Sequence, residues 1–231
     1  MKVSPEPIIS IIIPVGPERD FIVRGSLQSL VDKTRDKSRL EVLVKVDYGD
    51  DETMEAIKIY KALLPLRIIR MDGSKRGSEL AKYADVLAEF SKGKLIWYWT
   101  DEARILTDGW EKTVYAKGVM ADQFVVFFVN PSKMIGDIYP MITRRWYKTI
   151  GHFAAHMAHD SCCHVIAERL KGIVQYVKMD NILMKNSTFM KENPEYRHWK
   201  PEKDFYGDEI QAEITKDVEK IRKAHLEGEG L

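Results

Sequence analysis

Two short acidic clusters are the side chains in this sequence whose type and spacing could do chemistry. Asp47 follows the apolar residues 40–46, and Asp101 and Glu102 follow the apolar residues 95–99. Carboxylate oxygens are ligands that Mg²⁺ and Mn²⁺ prefer, and these cations commonly take substrate phosphates as their remaining ligands. A cation held in this way would offset the negative charge that develops on a leaving diphosphate. The clusters therefore predict a site for a divalent cation and a phosphorylated ligand.

The elements that must position these acids alternate between strands and helices. Runs rich in apolar residues at 8–13, 40–46, 66–71 and 95–99 predict strands, and the first of them is mostly β-branched. The segments between them have apolar residues at helical spacing. This order predicts an α/β fold with a mainly parallel sheet flanked by helices. Ligands in such sheets bind beyond the carboxyl ends of the strands, which is where both acidic clusters fall.

Composition and missing motifs restrict the function. The 231 residues carry a net charge of +1, which gives no reason to expect a nucleic-acid partner. The only two cysteines, Cys162 and Cys163, are adjacent, so no disulfide framework is expected and a cytoplasmic location fits. The apolar run at residues 8–15 is too short for a transmembrane segment, although peripheral membrane contact stays open. Glycine-rich dinucleotide and P-loop motifs and a G-x-S-x-G elbow are absent from the sequence.

Several motifs, taken in order, resemble the family 2-like GT-A glycosyltransferases over roughly residues 8–190. The sequence WYWTDE at residues 97–102 stands where that family carries its acidic DXD-type motif. The other matching segments are SIIIP at residues 10–14, LQSL at 27–30, LEVLVKVDYGDDET at 40–53, Gly109-Trp110, PMITRRW at 140–146, Gly151-His152-Phe153 and Asp160.

The resemblance implies transfer of a sugar from a nucleotide-diphospho-sugar donor to a hydroxyl acceptor, with inversion at the anomeric carbon. It also implies that Asp101 and Glu102 hold Mn²⁺ or Mg²⁺, and that Asp160 is the general base that deprotonates the acceptor. The residues that the resemblance places around the donor are Pro14, Val15, Arg19, Asp47, Arg76, Thr100 and Asp101. It further predicts one GT-A-like catalytic domain at residues 1–190, with a nucleotide-sugar half at 8–102 and an acceptor half at 103–190. Residues 191–231 are expected to form a charged, partly helical extension.

Two other functions remain open. Glu102 stands where the family has a second aspartate, and Asn186 stands where it often has a histidine, which leaves open a non-catalytic member that binds a nucleotide-sugar or carbohydrate. The second alternative is a zinc-binding protein, because four potential ligands follow i, i+4, i+7, i+8 spacing and would share one face of a continuous helix. These four are His156, Asp160, Cys163 and His164. Asp160 could instead be a simple cap of a helix at residues 161–170.

Overall fold

The structure is a computed structural model that describes residues 6–17, 19–73, 80–129, 139–156, 159–186 and 207–228. The strands in these residues are β1 (Ile9–Pro14), β2 (Leu40–Asp47), β3 (Leu66–Met71), β4 (Leu95–Tyr98), β5 (Ala103–Ile105), β6 (Val125–Phe128), β7 (Pro140–Thr143), β8 (Gln175–Lys178) and β9 (Met184–Asn186). The helices are α1 (Asp20–Lys33), α2 (Asp51–Lys58), α3 (Leu80–Phe90), α4 (Glu111–Lys117), α5 (Arg144–Ile150), α6 (His159–Arg169) and α7 (Asp208–Gly228). Two short 3-10 turns lie at Ile59–Ala62 and Gly118–Met120.

Seven of these strands form one central sheet in the order β3-β2-β1-β4-β7-β6-β8. Strands β1 to β4 are parallel to one another, whereas β7 is antiparallel to both of its neighbours, and β8 is parallel to β6. The predicted α/β fold with a mainly parallel sheet is therefore confirmed. Strands β5 and β9 form a separate antiparallel pair in which Ala103 lies opposite Asn186.

Helices cover both faces of the sheet, which explains why β1 is apolar at every position except Ser10. Every residue of β1 is buried, and Ile11 and Ile13 pack into a different core cluster from Ile12 between them. Alternate residues of a strand point to opposite faces, so a strand between two helical layers needs apolar side chains on both. Helices α1, α2 and α4 supply one layer, and α3, α5, α6 and α7 supply the other.

The last helix, α7, docks on α5 and α6 through a thin apolar stripe. Ile214, Val218 and Ile221 are buried in the second core cluster, which also contains residues of α5 and α6. The predicted boundary at residue 190 falls outside the described residues, so the division into catalytic domain and extension stays a prediction. In the described residues, every helix falls short of a bilayer-spanning segment in length or in apolar character.

A buried acid on α7 anchors this helix to the body of the fold. The Asp217 side chain is fully buried, and its Oδ1 lies 3.0 Å from Nε2 of His152. Lys220 also approaches Asp217 Oδ1 at 3.5 Å and donates to the carbonyl of Ile150 at 2.8 Å. On α3, Asp85 accepts the backbone N–H next to His152, that of residue 153, at 2.6 Å. These contacts therefore connect α7, α3 and the end of α5 around the His152 imidazole.

The charges around His152 favour its protonated form. Burial lowers the pKa of the His152 imidazole, but the hydrogen bond and charge of Asp217, together with the charge of Asp85, raise that pKa above its ordinary 6.5. Lys220 acts in the opposite direction. Burial is also the main cause that raises the pKa of Asp85, and the Asp217 charge adds to it. Both raised values mean that the folded chain holds protons that the unfolded chain releases.

We therefore expect the folded chain to lose stability as pH rises. The contribution of His152 is complete below pH 6.5 and declines as pH rises through the higher folded-state pKa, while that of Asp85 declines at lower pH. Urea unfolding between about pH 6 and about pH 8 should show a falling free energy of unfolding in the wild type and a flatter profile in His152→Gln. His225→Gln, a substitution further along α7, serves as the control. Equal slopes for His152→Gln and wild type would contradict this assignment.

Candidate active site

The carboxyl ends of β2, β1 and β4 meet at one edge of the sheet, and the acidic clusters lie there. In the strand register Pro14 of β1 pairs with Lys45 of β2, and Ile12 pairs with Tyr98 of β4. Asp47 ends β2, and Asp101 follows β4 by three residues, so the two acids lie beyond β1 on opposite sides of it. The parallel sheet therefore brings together residues that are 54 positions apart in the sequence.

On the β2 side, a buried lysine neutralises Asp47. The Lys45 side chain is 1% exposed, and its Nζ forms an ion pair with Asp47 Oδ1. The same ammonium donates to the carbonyl of Val15 at 3.3 Å and lies 3.8 Å from the ring centroid of Tyr83. Residues two apart on a strand share a face, which is why Lys45 and Asp47 meet. The sequence signal for this pair is a lysine between two valines near the end of a buried strand, and sequence reasoning missed it.

Gly73 closes the other side of the Asp47 carboxylate. A Cβ atom added at Gly73 would overlap Asp47 Oδ2, so only glycine allows this approach. Asp47 is thus held between an ammonium group and a close backbone segment. Its predicted role as acceptor for the nucleobase stays a prediction.

On the β4 side, the loop that follows β1 holds Asp101 by hydrogen bonds. Arg19 Nη1 lies 2.8 Å from Asp101 Oδ1, and the backbone N–H of Gly16 donates to Asp101 Oδ2 at 3.4 Å. Val15 and Gly16, which are consecutive, therefore contact the Lys45 ammonium on one side and the Asp101 carboxylate on the other. This links the two ion pairs through two residues of backbone.

Asp101 and Glu102 occupy the two central positions of a tight turn. The N–H of Ala103 donates to the carbonyl of Thr100 at 3.1 Å and closes this turn. Burial, followed by the charge of Asp101, raises the pKa of Glu102 above its usual value, although Arg19 acts in the opposite direction. Two adjacent, partly buried carboxylates with this mutual repulsion suit a divalent cation.

Asp101 and Glu102 are therefore the residues that would hold Mn²⁺ or Mg²⁺. Among the described residues, no group of three or more His, Cys, Asp or Glu side chains is arranged to hold a metal ion. A cation bound to the turn would take its other ligands from phosphate or water, as Mg²⁺ does with diphosphate substrates.

Tyr139 lies beside this turn and was missed by the sequence analysis. Its φ of 54° falls in the left-handed region that side chains other than glycine rarely adopt. Its carbonyl accepts a hydrogen bond from Trp97 Nε1 at 3.0 Å. Burial raises the pKa of the Tyr139 hydroxyl, and the charges of Glu102 and Asp101 add to that effect. Strained backbone of this kind clusters at functional sites.

Asp160 approaches the site from the opposite half of the fold. Burial raises the pKa of the Tyr98 hydroxyl, and the charges of Asp101 and Asp160 both raise it further. Both carboxylates therefore act electrostatically on the Tyr98 hydroxyl. The Tyr98 ring also stacks on the ring of His159 at 4.1 Å, which fixes the first turn of α6 against β4.

The helix start explains the local contact of Asp160. Helix α6 begins at His159, so Asp160 lies in its first turn, where its Oδ1 accepts the N–H of Ser161 at 2.8 Å. This bond satisfies one donor at the helix start, although Asp160 lies within the first turn and not at the cap position of the predicted helix at 161–170. Its role as general base stays a prediction.

The other predicted donor residues are distributed around the same edge. Pro14 and Val15 are buried at the end of β1, and Thr100 begins the acidic turn. Arg76 lies outside the described residues.

The zinc alternative is wrong. Helix α6 begins after His156, so the four residues do not share one continuous helical face. Cys163 is buried in the apolar core, and burial raises its thiol pKa well above the usual value, which disfavours the thiolate that zinc binds. The His164 ring contacts Phe128 and Tyr176 instead.

Solved structures share this fold at low sequence identity. S. aureus TarS matches with a TM-score of 0.58 and 13% identity over 74% of this chain. TarS 1-349 in complex with UDP-GlcNAc matches with a TM-score of 0.57 and 14% identity, also over 74%. The mannosyltransferase PcManGT from Pyrobaculum calidifontis, in complex with GDP-Man and Mn2+, matches with a TM-score of 0.59 and 13% identity over 96% of this chain.

These similarities show that the chain has the fold of glycosyltransferases. The chain spans 35% of the length of the first TarS structure, 58% of the TarS complex and 75% of PcManGT. Neither a protein-family profile nor a curated protein matches the sequence.

The buried pair at the end of β2 gives a stability test. Lys45→Met leaves the Asp47 carboxylate buried without its ammonium partner, and we expect a loss of about 3–5 kcal/mol in the free energy of unfolding. The double variant Lys45→Met/Asp47→Leu should recover much of that loss, because it removes both charges. Urea unfolding measures both, with Lys58→Met as the control, since the Lys58–Glu55 pair is exposed. A double variant less stable than the single variant would refute the buried-charge explanation.

Proposed function

We propose that this chain is a metal-assisted glycosyltransferase that moves a sugar from a nucleotide-diphospho-sugar to a hydroxyl group. The observation that carries the proposal is the turn that presents Asp101 and Glu102 side by side at the carboxyl edge of a glycosyltransferase-type sheet. Carboxylates in this arrangement suit a divalent cation that also binds a diphosphate. The sheet edge is also where ligands bind in open α/β folds.

The ligands of structural neighbours support this type of donor. TarS has been solved with UDP and with UDP-GlcNAc, and PcManGT with GDP-Man and Mn2+. By analogy, this chain would take a nucleoside diphosphate linked to a sugar, with Mn²⁺ or Mg²⁺ as its cation. Membership of family 2 and a cytoplasmic location belong to the same proposal.

Each part of the site has a separate task in this proposal. Pro14 and Val15 lie beside the nucleoside, and Asp47 accepts hydrogen bonds from the base. Asp101 and Glu102 hold the cation, which offsets charge on the departing diphosphate. Opposite them, Asp160 takes the proton from the acceptor hydroxyl as that oxygen attacks the anomeric carbon. A single displacement of this kind inverts the anomeric configuration.

A non-catalytic nucleotide-sugar-binding protein is the second candidate. The observation that favours it is that Asp47 and Asp101 are each already paired with a basic side chain of this chain. A protein that binds a donor without a cation would keep both pairs.

Calorimetric titration with UDP and GDP, with and without Mn²⁺, separates the two candidates. We expect the wild type to bind one of the two nucleotides, and to do so only when Mn²⁺ is present. Asp101→Asn should weaken that binding on the order of tenfold or more, because one charged ligand of the cation is lost. The control is Asp108→Asn, which removes an exposed acid paired with Arg35. Metal-independent binding that survives Asp101→Asn would favour the non-catalytic candidate.

Asp160→Asn tests the general base. Asparagine keeps an acceptor oxygen for the N–H of Ser161 but cannot take a proton, so the first turn of α6 should remain intact. We expect sugar transfer to fall on the order of 10²-fold or more, with unchanged nucleotide affinity. Release of nucleoside diphosphate from UDP- and GDP-sugars in the presence of glycoside acceptors measures transfer. Activity equal to that of the wild type would contradict the assignment of Asp160 as the general base.

A further inference from the structure

The ion pair between Arg19 and Asp101 occupies the carboxylate that the proposed function assigns to a cation. Arg19 Nη1 lies 2.8 Å from one oxygen of Asp101, and the N–H of Gly16 lies 3.4 Å from the other. The Asp101 side chain is only 7% exposed, so Arg19 and Gly16 cover most of the carboxylate surface that a cation would contact. A divalent cation on the same oxygen would face the positive charge of Arg19 directly.

The negative charge of the acidic turn suits either the guanidinium of Arg19 or a divalent cation, but not both together. Asp101 and Glu102 carry two negative charges when ionised, and the guanidinium of Arg19 acts electrostatically on both carboxylates. A divalent cation would neutralise the two acids alone. Arg19 would then be a surplus positive charge next to the bound cation, and a negatively charged ligand would be its natural partner.

The backbone of Arg19 is fixed at the start of α1, whereas its side chain is partly exposed. Arg19 precedes α1 by one residue, and its side-chain stem lies against Gly16, where an added Cβ would be 3.5 Å from Arg19 Cδ. The side chain is 19% exposed, and the carbonyl of Arg19 accepts the N–H of Val23 at 3.0 Å in the first turn of the helix. A guanidinium binds phosphate oxygens in the same paired geometry in which it binds a carboxylate.

We propose that Arg19 is an exchangeable counter-ion: it holds Asp101 before the cation binds, leaves Asp101 to the cation, and then binds the donor diphosphate. This inference rests on the proposed function and adds a defined role for one residue within it. In this proposal the cation and the guanidinium compete for Asp101. A bound nucleotide favours the exchange because its diphosphate binds the released guanidinium. Arg19 therefore opposes binding of the metal alone and promotes binding of the metal together with nucleotide.

The test compares the full-length wild type with Arg19→Gln, using Mn²⁺ alone and then UDP or GDP in the presence of Mn²⁺. Electron paramagnetic resonance of free Mn²⁺ gives metal affinity without any activity measurement. We expect Arg19→Gln to bind Mn²⁺ alone more tightly, on the order of tenfold, because the cation no longer displaces an ion pair. The same variant should bind the nucleotide with Mn²⁺ more weakly, on the order of tenfold, because a phosphate contact is lost.

Two further variants make the result specific. Arg19→Lys keeps the charge but not the paired geometry, so its Mn²⁺ affinity should stay near that of the wild type while its nucleotide affinity falls. Arg24→Gln removes an exposed arginine of α1 that lies 4.0 Å from Asp20, and it should change neither affinity. Circular dichroism confirms that each variant is folded, and Arg19→Lys alone decides the question if Arg19→Gln is not.

The outcomes distinguish this inference from the function on which it rests. Unchanged or weaker Mn²⁺ binding in Arg19→Gln, with metal-dependent nucleotide binding in the wild type, would overturn the exchange and leave the proposed function standing. If Arg19→Lys is the only folded variant, nucleotide affinity equal to that of the wild type would overturn the exchange. A wild type that binds neither Mn²⁺ nor nucleotide would overturn both.

Discussion

A lysine buried beside an aspartate at the end of β2 is the interaction on which the candidate site depends. Lys45 has almost no contact with solvent, so its ammonium group is stabilised by Asp47, the carbonyl of Val15 and the ring of Tyr83. Through Val15, this pair fixes the loop after β1, and the next residue of that loop, Gly16, holds Asp101. A pair on β2 thus helps to position the acidic turn after β4, although β1 lies between these two strands.

The central fold was predictable because β1, β2 and β4 are buried along their whole length. Runs rich in apolar residues marked β1, β2, β3 and β4 closely, and their alternation with helical segments predicted the mainly parallel sheet. Strand β7 and helix α5 were missed because residues 140–150 mix aromatic and basic side chains. Strands β5 and β9 have three residues each, too few for a period to be recognised, and they form only by pairing with each other.

The site was only partly predictable, because sequence reveals which side chains are present and not which partners they meet. The acidic turn at Asp101 was found from its position after a strand. Arg19 was placed near the donor only by the resemblance, and its contact with Asp101 spans 82 residues. Tyr139 gave no signal, since its importance comes from its backbone angle and its neighbours. The predicted zinc site was wrong because its spacing required a helix that includes His156, whereas α6 begins three residues later, at His159.

The reversed direction of β7 has an evolutionary consequence. Because β7 runs against β4, its first residue lies at the rim where β4 ends, so chain entering from the second half of the fold borders the acidic turn. Tyr139 marks that entry point. Under the proposed function, substitutions at this rim would alter the acceptor side while the register of β1, β2 and β4 is preserved. One antiparallel strand would then let acceptor preference diversify among related chains without renewed selection on the residues proposed to bind the donor.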